Sequence, residues 1–294
     1  DDLISTTLLA TPRPIVIAPA MNNGMWKAPA TQANMATLRD RGVHVVGPGS
    51  GYLACGDVDT GRMSEPEDIV EAICEVLNPA PQDLAGKRIV ITAGPTHEPI
   101  DPVRFIGNRS SGKMGIALAR EAARRGAEVT LVLGPTSLDV PGGMECVRVQ
   151  TAAEMLQAAA SAFQTADAAI CAAAVADYTP ATPADHKLKK SNERLDRIEL
   201  VETVDILAEL SRQKGEQRVI GFAAETDNVV EYAQRKLARK GCDAIIANDV
   251  SRADSGFGTD TNKAWIVSTA GTQELPVLTK PQLADTILDL LQKL

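Results

Sequence analysis

The chain lacks the long apolar runs, paired cysteines and targeting pattern that mark membrane, disulfide-rich and secreted proteins. No apolar run among its 294 residues approaches the roughly twenty residues that a membrane span needs. No secretory signal pattern is visible at its start. The five cysteines are odd in number and form no C-x-x-C pair, so neither a disulfide framework nor a zinc site is indicated. We therefore expect a cytoplasmic protein with reduced thiols.

The chain also has fewer basic than acidic residues, 30 Lys and Arg against 38 Asp and Glu. The formal net charge is −8, which argues against broad binding to nucleic acid or to a membrane surface. Local lysine clusters are therefore expected to serve a small anion, or to be ordinary solvated charges. Of the cysteines, Cys74, Cys146 and Cys171 lie in apolar patterns and are expected to be buried. Only Cys55, in a loop-like context, suggests a functional role.

From Lys87 onward, short apolar strands alternate with helices. This alternation predicts an α/β fold, a Rossmann-like and mainly parallel sheet with helices on both faces. The predicted strands span 88–92, 128–133, 145–149, 168–173, 218–223 and 243–247, and the predicted helices span 112–125, 151–163, 205–213, 228–240 and 280–292. A late hairpin is expected around Ala270-Gly271, and residues 178–200 read as a long polar loop of the kind that is usually functional.

Residues 1–78 resemble only part of a domain. They predict strands over 15–20 and 43–46 and helices over 29–41 and 65–77, too little to close a sheet core. A proline-rich break over 79–86 reads as a linker to a domain over 87–294.

The most informative segment is 93–115, AGPTHEPIDPVRFIGNRSSGKMG. A buried strand, a loop rich in small residues and a helix start at Ser110-Ser111-Gly112-Lys113 form a pattern that favours anion binding by backbone N–H groups and a lysine. The segment is not a P-loop, because Met114 stands where Ser or Thr should bind the metal. The alternative is an ordinary strand-to-helix loop with Ser110 as N-cap.

Several stretches in register resemble one family closely. Besides 93–115, they are AAAVADYTP at 172–180, HKLKK at 186–190, GFAAET at 221–226, ANDV at 247–250 and FGTDTN at 257–262. Together they resemble phosphopantothenoylcysteine synthetase over about 86–294. The resemblance implies a CTP-dependent ligation of 4′-phosphopantothenate and cysteine through an acyl-cytidylate, with Mg²⁺, in a homodimer formed by this domain.

The resemblance also implies roles for individual residues. Lys187 would serve acyl-cytidylate formation, and Asn108 would serve the attack of cysteine on that intermediate. Asp177 would contact the base. The nucleotide-binding residues it implies are Gly94, Ser110, Ser111, Gly112, Lys113, Ala174, Asp177, Lys187, Val204, Asp205, Ile206, Leu207, Phe222, Lys236 and Lys240.

The first 78 residues resemble the C-terminal part of phosphopantothenoylcysteine decarboxylase, a flavin enzyme that uses FMN. PAMN at 19–22 and ACGD at 54–57 carry this resemblance. It implies that Asn22 binds the decarboxylase substrate and that Cys55 donates a proton. Because half of that partial α/β flavoprotein domain is missing, we expect no decarboxylase activity from this chain. The intact fused proteins form larger homo-oligomers.

Without the resemblance, several of these residues could equally have ordinary structural roles. The lysines at 187–190 could be a solvated face, Asn108 a turn residue, Phe222 a core residue, and Lys236 and Lys240 surface charges. Two other functions also remain, a nicotinamide oxidoreductase and a flavin-binding module. The first is opposed by the absence of G-x-G-x-x-G after Thr92, and the second rests on residues 1–78 alone.

Overall fold

A computed structural model describes residues 2–52, 58–189, 197–252, 254–256 and 258–294. The chain divides into two compact units, Asp1–Pro81 and Gln82–Leu294. The helices are α1 (Leu3–Ala10), α2 (Asn23–Lys27), α3 (Pro29–Asp40), α4 (Pro66–Leu77), α5 (Lys113–Arg124), α6 (Ala152–Phe163), α7 (Ile206–Gln213), α8 (Val229–Lys240) and α9 (Lys280–Lys293).

The strands alternate with these helices along the chain. They are β1 (Val16–Ile17), β2 (His44–Val45), β3 (Gly49–Tyr52), β4 (Val58–Arg62), β5 (Arg88–Ala93), β6 (His97–Pro99), β7 (Phe105–Gly107), β8 (Glu128–Leu133), β9 (Glu145–Arg148), β10 (Ala168–Cys171), β11 (Tyr178–Pro180), β12 (Leu200–Glu202), β13 (Arg218–Glu225), β14 (Ala244–Asp249), β15 (Thr261–Ser268) and β16 (Gly271–Thr279).

The second unit is built on one eight-stranded sheet. Its strand order is β16-β15-β14-β13-β10-β5-β8-β9. The strands from β14 to β9 pair in parallel, and β15 and β16 add an antiparallel edge. The order reverses at β5, because the chain first builds outward through β8 and β9 and then returns to β10 on the other side. The predicted mainly parallel sheet is confirmed.

Each face of this sheet carries its own apolar core, because successive side chains of a strand point to opposite faces. Ile89 and Ile91 of β5 face a cluster with α5 and α9, whereas Val90 faces a cluster with α6, α7 and α8. The predicted covering of both faces by helices is therefore confirmed. The helix starts follow capping rules, since Thr151 and Glu154 form a capping box on α6.

Helix α5 packs unusually close to β5. A Cβ added at Gly115 would lie 2.3 Å from the Cβ of Ala93, so only glycine permits this approach. The close contact fixes the first turn of α5 directly beside the carboxyl end of β5. Local packing thus sets the position of the segment that the sequence singled out.

Some predictions need correction. The segment 93–115 contains an antiparallel hairpin, β6 with β7, and the predicted long loop begins and ends in the antiparallel pair β11 and β12. These strands are three residues each, too short to give a period-2 pattern. The predicted strand over 15–20 is only Val16–Ile17. Cys74 is exposed rather than buried, on a helix whose apolar residues Val70 and Leu77 are also exposed.

Among the described residues of the first unit, β1 pairs with β2 in parallel and β3 pairs with β4 antiparallel. Part of the segment predicted as a linker packs into the second unit, where Leu84 is buried in the core. Over the described residues, none of the helices has both the length and the apolar character that a membrane crossing requires.

Candidate active site

A cavity of about 900 Å³ opens at the carboxyl ends of the parallel strands. Residues at or just beyond the ends of β5, β10, β13 and β14 line it, together with the first turn of α5. It therefore lies where the strand order reverses between β5 and β10. Ligands of open α/β sheets bind in such a crevice, so the fold itself selects this position.

The N-terminus of α5 forms one wall of the cavity. Gly112 is the N-cap, with a φ of +82° and no side-chain cap, so the expected alternative of Ser110 as an N-cap is wrong. The hydroxyl groups of Ser110 and Ser111 instead accept from the N–H of Gly112 at 3.3 Å and of Lys113 at 3.4 Å. The remaining N–H groups of the first turn give this end partial positive charge.

The loop after β10 forms the facing wall, from Ala172 to Asp177. Asn108 reaches across and donates from Nδ2 to the carbonyl of Val175 at 2.8 Å. The two walls are therefore joined by a direct hydrogen bond at the mouth of the cavity. Asp177 is exposed, and its carbonyl accepts from the N–H of Thr203 at 2.9 Å.

Two lysines of α8 extend the cavity toward β13 and α7. The Lys236 ammonium donates to the carbonyl of Phe222 at 2.8 Å. Burial lowers the pKa of Lys236 below its usual range, and the carboxylates of Glu225 and Asp177 oppose that shift. Lys240 forms an ion pair with Asp205, whose side chain also caps α7 at the N–H of Ala208.

The cavity is cationic although the chain as a whole is acidic. Six cationic side chains line it against three carboxylates, namely Arg109, Lys113, Lys236, Arg239, Lys240 and Lys280 against Asp177, Glu202 and Asp205. Such an excess in a protein of net charge −8 concentrates positive potential where a substrate would bind. The arrangement suits a ligand that carries several negative charges.

The hairpin of β6 and β7 anchors the lysine-bearing loop. Asp101 is buried and accepts from the N–H groups of Val103 and Arg104, each at 2.8 Å. It also accepts from the N–H of Leu188 at 3.2 Å, and Arg104 donates to the carbonyl of Leu188 at 2.8 Å. Arg104 holds the pKa of Asp101 well below its usual range. The residue after Lys187 is thus fixed to the segment 93–115.

Comparison with known proteins identifies the family. Residues 84–294 match the model of the DNA/pantothenate metabolism flavoprotein C-terminal domain, and residues 1–78 match the flavoprotein model. The coenzyme A biosynthesis bifunctional protein CoaBC of Bacillus subtilis is 48% identical over 291 residues, 98% of this chain and 71% of the relative. The corresponding protein of Escherichia coli is 47% identical over 292 residues, 98% of this chain and 72% of the relative.

The chain belongs to the CoaBC family. A crystal structure of the C-terminal domain of a CoaBC protein superposes with a TM-score of 0.61 and 46% identity, covering 71% of this chain and 96% of that one. This membership confirms the resemblance found in the sequence and the prediction of a ligase in coenzyme A biosynthesis.

Most residues predicted for the nucleotide site of this CoaBC chain meet at one place. Those that line the cavity are Asn108, Ser110, Ser111, Gly112, Lys113, Ala174, Asp177, Val204, Asp205, Ile206, Leu207, Phe222, Lys236 and Lys240. Gly94 and Lys187 do not line it. Gly94 turns the chain after β5 with a φ of +78° and packs against Gly112. Lys187 is exposed, next to Leu188, which is bonded to Asp101 and Arg104.

The predicted decarboxylase residues belong to the first unit. Asn22 uses its side-chain oxygen to cap α2 at the N–H of Gly24, at 2.8 Å. Cys55 lies outside the described residues. Of these two predicted residues, the structure therefore describes Asn22 alone.

Sequence reasoning missed several polar residues of the cavity. Lys280 is the first residue of α9, only 6% exposed, and it donates to the side chain of Asn262 at 2.7 Å. Asn248, Arg109 and Arg239 also line the cavity. No motif marks Lys280, because a lysine before Pro281 resembles any helix start; only the fold brings it beside Lys113.

The described residues contain no group of three His, Cys, Asp or Glu side chains that could hold a metal ion. Magnesium typically arrives bound to the phosphates of a nucleotide and keeps several waters. A Mg²⁺ ion brought in this way needs no such group of side chains in the protein.

Proposed function

We propose that the second unit ligates 4′-phosphopantothenate to cysteine with CTP as the activating nucleotide. The observation that carries this proposal is the cationic cavity at the point where the strand order reverses. The CoaBC family acts in coenzyme A biosynthesis, which suggests the pathway. The excess of cationic side chains in the cavity is the reason to expect two highly charged substrates. No specific observation favours a nicotinamide or flavin cofactor in this cavity.

The chemistry requires activation of a carboxylate, which is a poor electrophile. The carboxylate oxygen attacks the α-phosphorus of CTP, the bond to the bridging oxygen breaks, and pyrophosphate leaves with its magnesium. The amine of cysteine then attacks the acyl carbon, loses a proton, and expels CMP. The protein needs no covalent nucleophile, because positioning and charge neutralisation account for such catalysis.

The first step brings two anions together. The α5 N-terminus and Lys113 are placed to bind phosphate oxygens, and Lys236 and Lys240 add positive charge on the other side. Lys187 does not line the cavity, but the loop that carries it joins β11 to β12, whose residues Tyr178 and Glu202 do line it. We propose that this loop brings Lys187 over the nucleotide to assist acyl-cytidylate formation.

The choice of base is proposed to depend on Asp177, which lines the cavity beside the small residues Ala172–Ala174. A carboxylate accepts a hydrogen bond from the amino group of cytosine, whereas uracil presents a carbonyl there. We expect Asp177→Asn to narrow the CTP:UTP ratio of kcat/KM, because an amide can donate to that carbonyl. An unchanged ratio would assign base selection to the backbone.

The decisive experiment measures pyrophosphate release by the purified chain. CTP and ATP are each supplied with Mg²⁺, with and without 4′-phosphopantothenate and cysteine. We expect release with CTP and 4′-phosphopantothenate alone, and ligated product only when cysteine is added. Lys187→Gln should abolish the release of pyrophosphate. If wild-type protein releases no pyrophosphate under any of these conditions, the proposed function is wrong.

A further inference from the structure

Lys280 is a buried cation for which the proposed mechanism gives no role. Its ammonium has three N–H donors, and the structure supplies two neutral acceptors, Asn262 Oδ1 at 2.7 Å and the Gly256 carbonyl at 3.5 Å. Among the described residues, no carboxylate oxygen lies within ion-pair distance of it. Lys280 lines the cavity, so its remaining donor can serve a bound ligand.

Lys113 lies next to Lys280 at the same end of the cavity. It forms an ion pair with Asp260 at 2.6 Å and donates to the Gly258 carbonyl at 3.3 Å. Burial, and then the charge of Lys113, lower the pKa of Lys280 to about 8. The backbone N–H of Lys280 donates to the carbonyl of Asp260 at 3.0 Å, and its ammonium donates to the carbonyl of Gly256. Both lysines therefore bond to residues that lie within five positions of one another, which places them at the same end of the cavity.

Two helix N-termini reinforce this positive region. Lys113 opens α5 and Lys280 opens α9, and the two helices pack against each other in one core. Arg125, just after α5, bonds to Asp285 and Asp289 further along α9. The helices therefore run in the same direction, and both present positive dipole ends to the cavity.

We infer that Lys113 and Lys280 form a two-lysine cluster that binds a phosphate group of a substrate, and that Asp260 pairs with Lys113 of this cluster when no ligand is bound. Two neighbouring cations without a buried carboxylate are an unfavourable arrangement unless an anion completes it. Asp260 is poorly suited to that role permanently, because its side chain is 87% exposed. Exposed ion pairs contribute little, so a phosphate can displace it readily.

The assignment of the ligand rests on the proposed function, which offers two sources of phosphate. One is the triphosphate of the nucleotide, and the other is the phosphate monoester of 4′-phosphopantothenate. Both would place a dianionic oxygen cluster between the lysines and both would release Asp260. Each ligand is titrated separately, so the ligand whose affinity changes identifies the source of the bound phosphate.

The test compares two variants with two matched controls by isothermal titration calorimetry at pH 7. Lys280→Met removes the buried charge, and Asp260→Asn removes the competing carboxylate. Lys263→Met and Glu274→Gln are the controls, because these residues pair with each other at 2.6 Å on β15 and β16 and do not line the cavity. CTP, 4′-phosphopantothenate and pantothenate are titrated in turn.

Lys280→Met should weaken one of the two phosphate-bearing ligands by at least about 10-fold, the usual effect of losing one charge-assisted hydrogen bond. Asp260→Asn should strengthen the same ligand several-fold, and pantothenate binding and both controls should be unchanged. Unaltered affinities in Lys280→Met, or weaker phosphate binding in Asp260→Asn, would overturn the inference. Asp260→Asn keeps the test decisive if Lys280→Met folds poorly, because Asp260 is on the surface.

Failure of the proposed function gives a different pattern. If wild-type protein bound neither CTP nor 4′-phosphopantothenate, inorganic pyrophosphate would replace them as the probe. Loss of pyrophosphate binding in Lys280→Met would then uphold the two-lysine cluster without the ligase. Active ligation by the wild type, with equal binding in Lys280→Met, would instead uphold the ligase without the cluster.

Discussion

Lys280 is expected to take up a proton when an anionic ligand binds. Its pKa is lowered to about 8, so near pH 8 about half of the molecules carry the charge in the ligand-free state. The groups that act on this charge are Lys113 and Asp260. A bound phosphate favours the charged form and raises the pKa, and affinity should therefore fall as pH rises above about 8.

Calorimetry in two buffers of different ionisation enthalpy measures this uptake directly. At pH 8 we expect up to about half a proton per ligand from Lys280. The Lys280→Met protein should lose that contribution, whereas the Lys263→Met protein should keep it. Equal proton uptake in wild-type and Lys280→Met proteins would assign the titration to another group.

Asn108→Asp should separate the two half-reactions. The aspartate carboxylate would face the carbonyl of Val175, which now accepts from the Asn108 amide, and it would repel the oxyanion that forms as cysteine attacks. We expect pyrophosphate release to persist while the acyl-cytidylate accumulates, as detected by mass spectrometry of quenched reactions. Loss of CTP binding in this variant would show that Asn108 acts earlier.

The sequence indicated the residues of the cavity that lie within recognisable motifs. The serines, Gly112 and Lys113 follow a strand and open a helix, and Asp177 follows another strand, so their meeting at one sheet edge was predictable. Lys280 lies outside every motif and acquires its role only through burial, whereas Asn262 ends the stretch FGTDTN but had no role assigned to it. Lys187 was predicted at the nucleotide but does not line the cavity, and its role there stays a prediction; the next residue, Leu188, is bonded to Asp101 and Arg104.

The close packing of α5 against β5 depends on Gly115, which has no side chain. We expect Gly115→Ala to destabilise the second unit by about 2 kcal/mol, because overpacking against strand atoms outweighs the gain of about 1 kcal/mol in helix propensity. Urea unfolding measures the difference. Gly142→Ala is the control, since an added Cβ there meets no atom within 4 Å, and it should change stability little. Equal stability of the two variants would mean that α5 can shift freely.

Elements of the main sheet were predictable because burial leaves a strong pattern. The strand predicted over 128–133 was found with the same limits, since four of its six residues are apolar, a fifth is the β-branched Thr130, and one glutamate begins it. The three-residue strands β6, β7, β11 and β12 were not predictable, because their pairing is imposed by contacts between loops. Their positions matter nonetheless, since they flank the segments that shape the cavity.

Arg125 ties separate segments of the second unit together. It is 1% exposed and pairs with Asp83, Asp285 and Asp289. Hydrogen bonds from Arg125 lower the pKa of Asp83 to about 2. A lowered carboxyl pKa contributes stability that is present above about pH 4 and is lost as pH falls toward 2.

Arg125→Met should therefore destabilise the unit at pH 7 by about 2 kcal/mol, less than a fully buried pair because the carboxylates are partly exposed. The difference from wild type should shrink as pH is lowered from 4 to 2. Urea titrations at several pH values measure both effects. The control, Arg235→Met, removes an exposed ion pair with Glu231 and should be as stable as wild type. If Arg125→Met lost the same free energy of unfolding at every pH, its effect would not come from the ion pairs.

The contrast between an acidic chain and a cationic cavity has a consequence for how substrates arrive. At physiological ionic strength the screening length is about 8 Å, so a nucleotide approaching the cavity responds to nearby lysines and hardly to the overall charge of −8. In very dilute buffer the screening length grows to about 30 Å, and the whole acidic surface repels the same nucleotide. Moderate salt should therefore speed the arrival of anionic substrates before higher salt weakens their binding, the reverse of the simple slowing seen for electrostatically steered pairs.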